Sequence, residues 1–74
     1  MKISYKKLWF LCVEKEMSKA TLRKRTGISS GTLTKLRKSE PVAVEILMRI
    51  CTVLQCNIGD IMDFVPDDSK EDAE

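Results

Sequence analysis

The sequence predicts a compact all-α fold of five short helices, and three features of the chain indicate it. Apolar residues recur at helical spacing, and the β-branched residues all fall within helical periods rather than in a strand pattern. Gly27, Pro41 and Pro66 interrupt the pattern and divide it into short segments. The 74 residues allow one domain with short loops, because a chain of this size buries only about 60% of its unfolded surface.

A first helix is predicted from Ser4 or Tyr5 to about Glu16, where apolar residues follow helical spacing and lysines lie outside. Residues 8–13 are nevertheless all apolar, and such a run extends around the whole helix. At about 100° per residue, Phe10 should point away from the core. This surplus apolar surface indicates a patch for self-association or for a partner, and scattered exposed side chains are the equal alternative.

The remaining helices are expected to be short. Two are predicted at about 19–26 and 30–37, and a fourth at about 44–55 should bury a stripe formed by Leu47, Ile50, Cys51 and Leu54. Asn57 can cap a fifth helix, which should turn inward the side chains of Ile58, Ile61 and Met62.

Charge is sorted along the chain. Residues 1–64 carry twelve basic and six acidic side chains, a net charge of +6, whereas residues 65–74 carry one lysine and five acidic side chains, a net charge of −4. We therefore predict a folded domain over 1–64 and an acidic, disordered tail over 65–74, which has too few apolar residues to fold. The tail either keeps the protein soluble or competes with an anionic ligand for the basic domain.

Three cysteines, Cys12, Cys51 and Cys56, occur in a chain without histidine. Their odd number and apolar neighbours favour buried, reduced thiols over disulfides or a zinc site. Reduced thiols predict a cytoplasmic protein, as does the lack of a membrane-length apolar run or a signal peptide. No cofactor is expected. We also predict no enzymatic activity, because the chain lacks histidine, a glycine-rich phosphate loop and clustered carboxylates in its helical body.

The central stretch combines positive charge with a two-helix pattern. From Lys19 to Lys38 there are seven basic residues and no acidic one. Gly27 permits the positive φ that a tight turn needs, and apolar residues can hold the second helix against the first: Leu22, Ile28, Leu33 and Leu36. Counted from Lys19, these are the positions at which a helix–turn–helix motif holds its turn and core residues. Such a basic motif is typical of proteins that bind duplex DNA. Its Lys and Arg side chains neutralise DNA phosphates, and the release of the counterions bound there favours binding.

The residues from Met17 to Leu36 resemble the helix–turn–helix of the Cro/CI-type, or Xre-type, regulators. The run from Ile46 to Ile61 is similar to that family's fourth and fifth helices. The start of the chain, from Ile3 to Trp9, resembles that of the short VanU-type members. The resemblance covers about residues 5–64, and it implies a five-helix, lambda-repressor-like fold and a role in transcriptional control.

The resemblance also implies which residues contact DNA. The family's base-contacting positions lie at the start and on the outer face of the second motif helix, on Ser30, Gly31, Thr32 and Lys35. Its phosphate-contacting positions correspond to Ser18, Lys19, Ser29 and Lys38. Lys35 suits the O6 and N7 acceptors of guanine. Gly31 offers no side chain, and it weakens the helix by about 1 kcal/mol relative to alanine.

Three positions depart from the family's pattern. Arg23 stands where a small residue usually packs between the motif helices, so its stem must cover Leu33 or Leu36. Many members pair an arginine of the first helix with a glutamate late in the second motif helix, and those positions are Cys12 and Arg37 here. Because both partners are replaced, no buried charge is left unpaired, and we expect Arg37 to contact phosphate instead.

The predicted function is a sequence-specific transcriptional regulator that binds double-stranded operator or promoter DNA with its helix at 30–37 in the major groove. A homodimer is expected, because two-fold pairing places two such helices about 34 Å apart in successive grooves. Either the fourth and fifth helices form the dimer face, or the surface of Trp9, Phe10 and Val13 does. RNA polymerase or another regulator is a further candidate partner, and a membrane is not.

The alternative function is an interaction or antitoxin-like module that keeps the fold without specific DNA binding. Gly31 and the acidic tail favour it. Activation and repression are both compatible with the sequence.

Overall fold

The computed structural model describes residues 1–67 of the chain. Its four α-helices are α1 (Lys6–Glu14), α2 (Lys19–Thr26), α3 (Ser30–Arg37) and α4 (Val44–Leu54), and a single 3-10 turn follows at Ile58–Asp60. The all-α class is confirmed, and so are the predicted bounds of α2 and α3. The predicted number of helices is wrong by one, because the fifth element is a three-residue 3-10 helix rather than an α-helix.

Two short strands join the start of the described chain to its end. Strand β1 (Lys2–Ser4) pairs antiparallel with β2 (Asp63–Val65), so that Lys2 lies opposite Val65. The expectation that the chain forms no strand was wrong, because three-residue strands are too short to display an alternating pattern. Of the predicted acidic tail, residue 65 lies in β2, and residues 68–74 lie outside the described part of the chain.

One apolar core is shared by all four α-helices. Its fully buried side chains are Tyr5, Leu8, Leu22, Leu36, Ile50, Leu54 and Ile61. Each such burial contributes about 1.5–3 kcal/mol for an aliphatic side chain, so the mutual arrangement of the helices is fixed by this core. Cys12 is buried as predicted, whereas Cys51 and Cys56 are half-buried, and all three are free thiols.

The two ends of the core differ in part from expectation. Ile61 is buried, but Ile58 is 45% exposed, because the 3-10 helix ends after one turn and only its C-cap residue, Ile61, reaches the core. Helix α1 begins at Lys6 and ends two residues before the predicted Glu16, which adopts a φ of 53° that breaks the helix. Phe10 points away from the core as predicted and is 65% exposed.

Tyr5 links the start of α1 to the segment that follows α3. Its hydroxyl donates a hydrogen bond to the carbonyl oxygen of Glu40 at 3.0 Å. Burial raises the pKa of the Tyr5 phenol, so this donor stays protonated well above neutral pH. The end of α3 is thereby held beside β1 and the first turn of α1.

Candidate nucleic-acid interface

Both helices of the central motif begin with the same polar cap. Ser18 precedes α2, and its Oγ accepts a hydrogen bond from the backbone N–H of Thr21 at 3.1 Å. Ser29 precedes α3, and its Oγ accepts from the N–H of Thr32, also at 3.1 Å. In each cap the serine Oγ and the threonine Oγ1 are also joined by a hydrogen bond, of 2.9 Å at α2 and 3.0 Å at α3. Such caps stabilise a helix by about 1 kcal/mol, so the starting points of both helices are well defined.

The turn between the helices is made by Gly27. Its φ of 73° lies in the left-handed region, and its N–H donates to the Arg23 carbonyl oxygen at 2.9 Å. Glycine adopts this conformation without the steric cost that a Cβ atom adds. The chain therefore leaves α2 sharply and can begin α3 three residues later.

Apolar side chains fix α3 against α2 as the sequence pattern predicted. Leu22, Ile28 and Leu36 are buried, and Leu33 is half-buried against the same core. This packing holds one face of α3 inward, and so the opposite face is left to solvent.

A polar contact that the sequence analysis missed ties this motif to α4. Thr26 is buried, and its hydroxyl donates to the Leu22 carbonyl oxygen at 2.7 Å. The Arg49 guanidinium, on α4, donates a long hydrogen bond of 3.5 Å to the Thr26 carbonyl oxygen. A threonine at a helix end and a distant arginine carry no sequence signal of such a pairing.

The predicted base-contacting residues all lie in α3, and Gly31 and Lys35 share its outer face. Ser30 and Gly31 form its exposed first turn, and the exposed Lys35 lies one turn later, four residues after Gly31 and on the same face. Thr32 is half-buried, and its hydroxyl is engaged by Ser29. The surface offered by α3 thus consists of small side chains at its start and a lysine beyond them.

The predicted phosphate-contacting residues surround that surface, and all are exposed: Ser18, Lys19, Ser29, Arg37 and Lys38. Neither α2 nor α3 has an acidic residue in its first turn. The first N–H groups of a helix have no partner within it and attract anions. The starts of both helices therefore suit phosphate oxygens.

Lys19 makes a contact that the sequence did not reveal. Its ammonium nitrogen lies 4.7 Å from the centroid of the Trp9 ring. A cation–π contact at an exposed site is worth about 0.5–1 kcal/mol. Trp9 therefore orients the lysine at the start of α2.

At the two positions where many family members pair an arginine with a glutamate, this chain has a buried thiol, Cys12, and an exposed arginine, Arg37. Cys12 is buried, and burial raises the pKa of its thiol against the smaller, opposite effect of Lys19. Arg37 is exposed at the end of α3, and Arg23 is exposed on α2. How the stem of Arg23 packs stays a prediction.

Other kinds of site find no support in residues 1–67. No group of three or more His, Cys, Asp or Glu side chains is arranged there to hold a metal ion. None of the helices in this part of the chain has the length and apolar character needed to cross a membrane.

Comparison with known proteins agrees with this geometry. Residues 7–67 match the sequence profile of the Cro/C1-type HTH DNA-binding domain. A crystal structure of the transcriptional regulator VanUg, form II, is similar to the chain with a TM-score of 0.87 and 41% sequence identity, and the match covers 89% of this chain and 88% of that one. No curated protein sequence matches. The profile extends over most of the chain, and the chain therefore belongs to the Cro/C1-type helix–turn–helix DNA-binding family.

Proposed function

We propose that this DNA-binding regulator is sequence-specific and inserts α3 into the major groove of operator or promoter DNA. The observation that carries the proposal is the exposed outer face of α3, which starts from a capped, anion-attracting helix end and lies in a stretch without a single acidic residue. A major groove admits one α-helix and presents a distinct pattern of donors and acceptors for each base pair. Membership of a DNA-binding family also means that the protein is not an enzyme.

In this proposal the residues of α3 contact bases in different ways. Lys35 donates to guanine O6 and N7, and Ser30 exchanges hydrogen bonds with a base edge. Thr32 offers its methyl group to thymine, because its hydroxyl already pairs with Ser29 at 3.0 Å. Gly31 lets the helix backbone approach the bases closely.

The phosphate contacts frame this base-contacting surface. Ser18 and Ser29 act through the helix starts that they cap, and Lys19, Arg37 and Lys38 act through their charges. These contacts position the protein without selecting a sequence, and they should make binding strongly salt-dependent.

We further propose that the protein acts as a homodimer through α4 and the 3-10 turn. Val44 and Met48 are 69% and 63% exposed on one side of α4, and Ile58 adjoins them. The shallow groove that these side chains line contains no charged residue. The alternative face around Phe10 is bordered by Lys7, Glu14 and Lys15. Because two copies of a basic domain repel each other, the uncharged face is the better site for their contact.

The fold, the free thiols and the DNA target suit the cytoplasm, and RNA polymerase or another regulator at the same promoter would be the remaining partner.

A salt titration tests the proposal. Binding is measured to the duplex upstream of the protein's own coding sequence and to a scrambled duplex of equal length. Tighter binding to the upstream duplex, falling steeply with salt, is the expected result. Equal, weak binding to both would contradict it, and an interaction module that kept the fold without specific DNA binding would then be the better description.

A further inference from the structure

A groove lined by lysines lies beside the end of α3, outside the helix–turn–helix. Four lysines from three elements border it: Lys2 of β1, Lys6 and Lys7 of α1, and Lys38 at the C-cap of α3. Asp63 is the one acidic side chain among the described residues that line it. We call this surface the lysine groove. Nothing in the linear sequence brings these lysines together, because their proximity depends on the β1–β2 ribbon and on how the end of α3 is held.

Contacts of Lys7 and Tyr5 hold in place the elements that line the lysine groove. The Lys7 ammonium forms an ion pair with Asp63 at 3.1 Å and donates to the Gly59 carbonyl oxygen at 3.1 Å, which fastens β2 to α1. Tyr5, which precedes Lys6 in the chain, donates its hydroxyl hydrogen bond to the carbonyl oxygen of Glu40, just after Ser39, at 3.0 Å. The charge of Asp63 is thus committed to Lys7.

Two of the lysines have no ion-pair partner in the described part of the chain. Within residues 1–67, neither Lys6 nor Lys38 forms an ion pair, and both are exposed. Like charges gathered around one groove repel each other, and an anion between them removes this repulsion. The groove therefore suits an extended anion that contacts both Lys6 and Lys38, because the acidic side chain of Asp63 already pairs with Lys7.

We propose that the lysine groove binds the phosphodiester backbone of the DNA that flanks the segment contacted by α3. The inference rests on the proposed function, in which Lys38 contacts phosphate at the end of α3. Lys38 also lines the groove, so a DNA strand that passes Lys38 is directed along the groove towards Lys6. This extends the phosphate contacts from the central motif to the start of α1 and to β1, which the sequence motif does not include.

The test compares two lysine-to-alanine variants that change the net charge equally. Lys6→Ala removes an exposed lysine of the groove from the first position of α1, where alanine is a good helix former. Lys15→Ala is the matched control, because Lys15 is exposed at the other end of α1, beside Gln55 and Cys56 and outside the groove. Circular dichroism and thermal unfolding verify that both variants are folded. Binding to the upstream duplex and to the scrambled duplex is then measured as a function of salt concentration.

Each neutralised phosphate contributes about −0.9 to the slope of log K against log salt. Lys6→Ala should therefore make the slope shallower by about 0.9 on both duplexes, while Lys15→Ala keeps the wild-type slope. Combining Lys6→Ala with Lys38→Ala should make the slope shallower by about twice as much.

An unchanged slope for Lys6→Ala, with wild-type protein binding DNA normally, would overturn the lysine groove and leave the proposed function intact. Equal reductions for Lys6→Ala and Lys15→Ala would overturn it as well, because the effect would then come from net charge alone. If the wild-type protein bound neither duplex, the proposed function itself would fail, and the groove's role with it.

Discussion

Replacing Gly31 by alanine should make the protein more stable and weaken its binding to DNA. Gly31 lies in the first turn of α3 and does not have a positive φ. An added Cβ atom would come no closer than 3.8 Å to a neighbouring atom, the Oγ of Ser29, which is ordinary van der Waals contact. Alanine is favoured over glycine in a helix interior by about 1 kcal/mol, so a gain of up to about 1 kcal/mol is expected at this first-turn position.

The size of the stability change can be measured by thermal unfolding. For a domain of this size, about 1 kcal/mol corresponds to a rise in Tm of about 4–8 °C. The other two glycines provide controls. Gly27→Ala should lower stability by about 1–2 kcal/mol, because a Cβ atom is disfavoured at a φ of 73°. Gly59→Ala should change it by less than about 0.5 kcal/mol, because an added Cβ atom there meets open space.

The same Gly31→Ala protein tests the proposed interface by fluorescence anisotropy with the upstream duplex. If the backbone of α3 approaches the bases at Gly31, the methyl group should reduce affinity several-fold although the protein is more stable. A lower Tm would refute the packing argument. A higher Tm with unchanged affinity would refute the placement of Gly31 against the bases.

Three further predictions concern charge, assembly and pH. Arg37→Ala should make the salt slope of DNA binding shallower by about 0.9, because one phosphate contact is lost, and an unchanged slope and affinity would show that Arg37 contacts no phosphate. Met48→Glu places a charge in the uncharged face of α4 and should convert the dimer to a monomer, as measured by sedimentation velocity. Phe10→Glu should leave the dimer intact. The reverse result would place the dimer face on α1. Burial, with further effects of Cys51 and Asp60, raises the pKa of Cys56 to about 11 from an ordinary value of 9.0. The folded state thus retains a proton that the unfolded state releases, so thermal stability should fall as pH rises from about 9 through 11, and by less in Cys56→Ala. An equal fall in both proteins would mean that other groups, such as Tyr5, cause the alkaline loss.

The motif helices could be predicted to the residue because their boundaries depend on local chemistry. A serine begins each of them and Gly27 ends the first, and these signals act within four residues of the chain. The apolar residues that hold α3 follow the same short-range spacing. The exposed surface of α3 follows directly from that spacing, so the candidate site could be located from the sequence.

The features that were missed depend on residues far apart in the chain. The β1–β2 ribbon joins two three-residue segments whose pairing is stabilised only in the folded protein. The contact of Arg49 with Thr26 and the placement of Lys19 over Trp9 likewise arise from packing between helices. The lysine groove belongs to the same class, since its lysines come from three separate elements.

The contact between Arg49 and Thr26 has a consequence for the spacing of the DNA target. It joins α4, the proposed dimer face, to the end of α2, and the shared core packs α3 against the same helices. The proposed dimer face and the proposed base-contacting helix α3 therefore share one packed core. One inserted base pair rotates a half-site by roughly 34–36° about the DNA axis, and a rigid protein cannot follow that rotation. A dimer built in this way should tolerate sequence changes between its half-sites far better than a change in their separation.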